Sequence, residues 1–173
     1  MTTNTALSDV IMIRLAKPED CTEIMRLIIE LAEFEKLADQ VRIDAEVLKR
    51  DCFGEKQYFH CFVAEPVNED SNQLVGYALY FPTYSTWEGV CVHMEDIYVT
   101  PAYRGKGLGK RLWQNVTQAA LDIGCSRLQL SVLGWNKEAI DLYTRYGCID
   151  MTETEDWHQM RLRRQDMEAF VKK

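Results

Sequence analysis

At 173 residues, 47% hydrophobic and 27% charged, the chain has the size and composition of one compact globular domain that can bury a core without disulfides or metal, which excludes a disordered or low-complexity segment. A formal charge of -7 argues against nucleic-acid binding, which draws on Lys and Arg to displace phosphate counterions; acidity suits a cationic partner, or solubility alone. The polar start, Met1 to Asp9, lacks the basic and apolar stretches of a leader, and no run of eighteen apolar residues occurs, so neither export nor membrane spanning is expected. Cys21, Cys52, Cys61, Cys91, Cys125 and Cys148 lack CxxC spacing and read as reduced thiols of a cytoplasmic protein.

A single domain over residues 1–173 is expected, frayed over 1–9. Val10 to Leu15 reads as a strand. Pro18, Glu19 and Asp20 then open a helix whose apolar face is Ile24, Leu27, Ile28, Leu31 and Phe34. Asp44 caps a shorter helix ending near Gly54. Tyr58 to Glu65, Leu74 to Thr83 and Val90 to Val99 are rich in aromatic and β-branched residues and predict an antiparallel meander, its breaks at Pro66 to Asn72 and Ser85 to Gly89. Leu108, Leu112, Val116, Ala119, Ala120 and Ile123 mark a helix stopped by Gly124. Arg127 to Leu133 returns as a strand, a helix runs from about Asn136 to Tyr146, and short strands are expected around Cys148 to Met151 and His158 to Arg163, before a helical tail from Gln165. The sum is an α/β (α+β) fold: a mixed, mostly antiparallel sheet of six to seven strands with helices on both faces.

Between the third meander strand and the next helix lies Arg104-Gly105-Lys106-Gly107-Leu108-Gly109-Lys110. Glycines let the backbone come close to a ligand, and the first N–H groups of the following helix carry partial positive charge, so the turn can cradle a pyrophosphate. Neither common nucleotide motif fits. A Walker loop needs Ser or Thr after Gly-Lys, where this chain has Arg111, and a dinucleotide fingerprint needs GxGxxG where this is GxGxG.

Arg104-Gly105-Lys106-Gly107-Leu108-Gly109 resembles the (Gln/Arg)-x-x-Gly-x-(Gly/Ala) motif of the GNAT superfamily of N-acetyltransferases, and Trp135-Asn136 leading to Ala139, Leu142, Tyr143 and Gly147 resembles that superfamily's second block. The resemblance implies the GNAT fold and acetyl-CoA as cofactor, released as CoA. It places the pyrophosphate on the amides of Gly105, Lys106, Gly107, Leu108, Gly109 and Lys110, with Arg104, and the pantetheine arm along Ile97, Tyr98 and Val99. Further cofactor contacts fall at Asn136, Lys137, Glu138 and Ala139.

Acetyl transfer from a thioester to an amine needs a neutral nitrogen and a proton for the departing thiolate. Deprotonating an alkylamine at neutral pH costs about 4–5 kcal/mol, which a nearby carboxylate offsets. Glu95 and Asp96 are adjacent in one strand, so only one faces the ligand; the resemblance favours Glu95 as base, through water. Tyr143 is the candidate general acid by the same resemblance, with Tyr146 as its local competitor, although a tyrosine on an apolar helical face also serves as core filling. Cys91 and His93 share a strand face, but no orienting acid supports a covalent mechanism, and no metal site is expected from them, His60 or His158.

Blocks over nearly the whole chain, including Leu31-Ala32-Glu33-Phe34-Glu35, Met94-Glu95-Asp96-Ile97-Tyr98-Val99 and Val132-Leu133-Gly134-Trp135-Asn136, resemble the diamine acetyltransferase family. That implies a cytoplasmic homodimer acting on a small cationic primary amine, with substrate residues Phe34, Glu35, Trp87, Glu95, Gln129, Leu130, Ser131, Glu155 and Trp157. Phe34 and Gly134 stand where the polyamine enzymes carry Tyr and an acid, and Ala120-Leu121-Asp122-Ile123-Gly124-Cys125 is closer to the thialysine N-epsilon-acetyltransferase branch. Thialysine or a lysine-like amine is therefore favoured over spermidine or spermine. Protein or peptide acetylation and a non-catalytic acetyl-CoA-binding module are the other readings, the last opposed by the presence of both Glu95 and Tyr143.

Overall fold

β1 (Ile11–Leu15), β2 (His60–Pro66), β3 (Gly76–Ser85), β4 (Gly89–Val99) and β5 (Leu128–Leu130) lie side by side in that order in a computed structural model that describes residues 11–67 and 73–172. The first three pairings are antiparallel and the last, Val92 to Met94 against Leu128 to Leu130, is parallel. The mixed sheet thus has five strands among the described residues rather than six or seven. Val10 and residues 1–9, for which fraying is expected, lie outside the described residues, as does most of the expected break before β3.

Period-two alternation divides the apolar residues between two faces. Cys61, Val63, Tyr77 and Leu79 are buried in one cluster with Cys21, Ile24 and Leu27 of α1 (Cys21–Phe34) and Leu48 of α2 (Ala45–Phe53). On the opposite face Gly76 meets α3 (Leu108–Asp122), whose Leu108, Leu112, Val116 and Ala120 recur every fourth residue and are buried. A Cβ on Gly76 would stand 2.8 Å from the Tyr98 carbonyl oxygen and 3.2 Å from Leu112 Cδ1, so glycine there permits the close approach of α3. Helices cover both faces, as the sequence predicts. Leu27 is fully buried, and cutting such a side chain back to alanine costs about 2–5 kcal/mol.

The helix starts follow their caps. The Asp44 carboxylate accepts the Val47 N–H at 2.9 Å at the head of α2, and Asp20, reached from Arg14 and the Lys17 N–H, closes the Pro18–Asp20 turn before α1.

The chain forms two compact units, one up to Ser131 and one from Val132. The second contains α4 (Lys137–Arg145), α5 (Met151–Glu155) and α6 (Arg164–Val171). Two strands expected there are absent. Asp150 accepts the N–H groups of Thr152 and Glu153 at 3.0 and 3.4 Å, which caps a short helix where a strand from Cys148 to Met151 was expected. Residues 156–163 have no regular structure, and Asp156, at φ 58°, ends α5 in the left-handed region. The strand expected over Arg127 to Leu133 contracts to Leu128–Leu130 because it ladders with only three residues of β4. Among the described residues no helix is long and apolar enough to cross a membrane.

Candidate active site

In the first unit, three segments carry the predicted site. The first is the turn from β4 to α3. Gly105 and Gly107 sit at φ 71° and 80°, where a side chain is strained, and an added Cβ on either would meet nothing within 4 Å. Gly109 has an ordinary φ, and its Cβ would lie 3.9 Å from Val99 Cγ2. The first backbone bond of α3 runs from the Arg111 N–H to the Gly107 carbonyl, 3.1 Å, so the helix itself supplies no acceptor for the amides of Leu108 and Gly109. Open space, positive backbone angles and amides without an acceptor in the helix fit a pyrophosphate.

The second segment is the end of β4. Met94 pairs with Tyr80 and Asp96 with Leu79, so β4 advances two residues while β3 advances one, and Glu95 is the extra residue of a β-bulge. The bulge separates two carboxylates that strand alternation alone would merely point apart. Asp96 turns inward and accepts the Tyr77 hydroxyl at 2.9 Å. Burial pushes its carboxyl up to about 6, the Tyr77 hydroxyl opposes that rise, and the charges of Glu95 and Glu35 add to it. Glu95 stays half exposed, with its Oε2 3.4 Å from His93 Nε2. That contact escaped the sequence reading, which treated His93 only beside Cys91; the i, i+2 spacing of His93 and Glu95 was its available signal. Beyond Met94, β4 has no β5 partner among the described residues, so Ile97 to Val99 keep β3 on one edge alone.

The third is the end of α1. Lys36 adopts φ 62°, its N–H bonds to the Glu33 carbonyl at 3.0 Å, and the Leu37 N–H bonds to the Ala32 carbonyl at 2.8 Å. This left-handed stop fixes where Phe34 and Glu35 project. Burial raises the Glu35 carboxyl above its usual range. Its charge reaches Asp96, so Glu35, Glu95 and Asp96 form one acidic neighbourhood. Phe34 is met by Arg104, whose guanidinium carbon is 5.2 Å from the ring centroid.

Of the remaining predicted residues in this unit, Gln129 and Leu130 lie in β5 opposite His93 and Met94, followed by Ser131. Trp87 is on the β3–β4 hairpin, 80% exposed, and its backbone N–H donates to Ser85 Oγ at 3.2 Å.

The second unit holds the others. Asn136 Oδ1 accepts the Ala139 N–H at 3.3 Å and caps α4, whose first turn is Lys137, Glu138 and Ala139. Tyr143 is a half-buried residue of α4, while Tyr146, its competitor, lies just past the helix end and is 49% exposed. Trp157 Nε1–H donates to Glu155 Oε2 at 3.0 Å, bringing that predicted pair together.

The acetyltransferase (GNAT) family pattern matches residues 19–148. The chain is 48% identical over 167 residues to a thialysine N-epsilon-acetyltransferase of Sus scrofa and 50% identical over 167 residues to that of Bos taurus, each alignment covering 94% of this chain and 98% of the relative. Its fold is similar to that of an integron cassette protein from the mobile metagenome of V. cholerae, with a TM-score of 0.75 at 18% identity over 95% of this chain and 99% of that one. With the glycine turn, the mixed sheet and these matches together, the chain belongs to the acetyltransferase (GNAT) family and is an acetyltransferase.

Proposed function

We propose that the protein transfers acetyl from acetyl-CoA to the primary amine of a small cationic substrate, thialysine or a lysine-like amine, and that it works as a cytoplasmic homodimer. The observation that carries this reading is the bulge in β4, which leaves the Glu95 carboxylate open to water beside the inward Asp96 and close to the glycine turn in sequence. The names of the relatives support the choice of thialysine, and the acidic neighbourhood of Glu35, Glu95 and Asp96 suits a cationic amine.

Acetyl-CoA supplies an acetyl group already activated as a thioester. The amides of Gly105 to Lys110 would hold its pyrophosphate, and the edge of Ile97 to Val99 away from β3 is suited to backbone hydrogen bonds with its pantetheine arm. The acidic neighbourhood draws in the ammonium form of the amine. Glu95 then takes a proton from it through water, so that the cost of about 4–5 kcal/mol for a neutral amine is met within the site. The Tyr143 hydroxyl provides the proton that the departing sulfur needs.

The test is thiol release from acetyl-CoA with lysine, thialysine, spermidine, spermine and an N-terminal peptide, compared by kcat/KM. Thialysine or lysine ranks first on this reading. A higher value for spermidine or the peptide would reassign the substrate class, and no turnover with any amine despite CoA binding would identify a binding module.

A further inference from the structure

The Arg104 side chain opens the cofactor motif, yet its contacts lead to α1. Nε–H donates to the Val99 carbonyl at 2.8 Å. The guanidinium carbon lies 5.2 Å from the ring centroids of both Phe34 and Tyr98. Burial and the charge of Glu30 raise the Tyr98 hydroxyl, while Arg104 lowers it. Glu30 is in turn bonded to Arg26, whose Nη2 donates to the Leu74 carbonyl at 2.7 Å. Glu30 and Phe34 are one helical turn apart, so the last two turns of α1 engage Tyr98 and Arg104 at successive positions. These residues line a cleft of about 830 Å³ that also includes Thr100 and Tyr103.

We propose that Arg104 is a positioning residue that locks the end of α1 onto the end of β4, coupling the amine side of the site to the cofactor turn, and that its side chain is not a phosphate ligand. A guanidinium does this better than an ammonium because its plane can face aromatic rings while its fork donates to a carbonyl. Phe34 and Glu35 sit on one side of the lock and Gly105 to Lys110 on the other. Ordering the turn around CoA therefore orders the amine side as well, and the two ligands bind synergistically.

The inference rests on the proposed acetyl transfer, and calorimetry separates the two. Coenzyme A binding is measured for the wild type, Arg104→Gln, Arg104→Lys and Phe34→Leu, with and without thialysine, alongside steady-state kinetics. The expected result is a binary CoA Kd within about twofold of wild type in all three variants, a thialysine KM raised about tenfold with a smaller change in kcat, and loss of the synergy between the ligands. Arg104→Lys keeps the charge and should resemble Arg104→Gln. The double variant Arg104→Gln/Phe34→Leu should be no worse than either single one, because both break the same contact. A loss of CoA affinity of about tenfold or more in Arg104→Gln, with Phe34→Leu binding normally, would make Arg104 a phosphate ligand and overturn the inference. Full rescue by Arg104→Lys, or additive effects in the double variant, would also overturn it. A wild type that binds no CoA would instead remove the acetyl-transfer reading itself.

Discussion

The two units of the chain are held by different physics. Up to Ser131, regular structure rests on burial: Val63, Tyr77, Val92, Leu112 and Val116 are fully covered, and helices pack on both faces of the sheet. From Val132 onward no described residue is buried, and α4 and α5 begin at the local caps Asn136 and Asp150. The first unit can hold a bulge, the two left-handed glycines of the turn and an inward carboxylate because its core fixes the backbone around them. The second carries Tyr143, the proposed general acid, on a helix defined by its own ends.

The largest expected effect probes the second unit. Tyr143→Phe should lower turnover about 10²- to 10⁴-fold, the range for losing a general acid, while the acetyl-CoA Kd stays near wild type. Tyr146→Phe should do far less, and equal losses in the two variants would undo the choice between them.

In the first unit, Asp96→Asn should separate stability from function. The carboxyl of Asp96 lies at about 6 in the folded protein against a usual 3.8, so the folded form holds its proton more tightly. The stability this gives is present at low pH and is lost as pH rises from about 4 to about 6. Asparagine keeps the acceptor for Tyr77 and cannot ionise. The variant should therefore be more stable than wild type by up to about 3 kcal/mol at pH 7.5, with the gap closing at pH 4, while its amine KM rises. Urea unfolding at both pH values reads this; an equal difference at the two would disprove the shift.

Gly107→Ala should cost about 1–2 kcal/mol through its left-handed backbone alone, seen as weaker CoA binding by calorimetry. Gly109→Ala, at an ordinary φ, should have a smaller effect, and reversal of that order would contradict the account of the turn. The smallest effect is expected at the cap of α4, where Asn136→Ala should remove about 1 kcal/mol of helix stability, measurable as lost amide protection in Lys137 to Ala139.

The same contrast explains what could be read in advance. Asp44, Asn136 and Gly124 act through neighbours a few residues away, so the helix ends they set were legible. The meander was legible too, because β2, β3 and β4 each carry enough β-branched and aromatic residues to form a core. The two strands expected after Gly147 failed because a strand needs a partner that local pattern does not supply, and Asp150 offered the backbone a helix instead. At the site, the sequence identified the glycine turn and Glu95 beside Asp96. It could not show that a bulge divides their roles, since a register shift depends on both strands, nor that the Arg104 side chain runs to Phe34 and Tyr98.

The most direct test of the central claim is kcat/KM for thialysine as a function of pH in the wild type and Glu95→Gln. If Glu95 takes the proton from the bound amine, the variant should be most deficient near pH 7, and its deficit should shrink steadily as pH rises toward the amine's own pKa, where the neutral nucleophile forms unaided. Two profiles that run parallel across the whole range, or that coincide, would contradict Glu95 as the base.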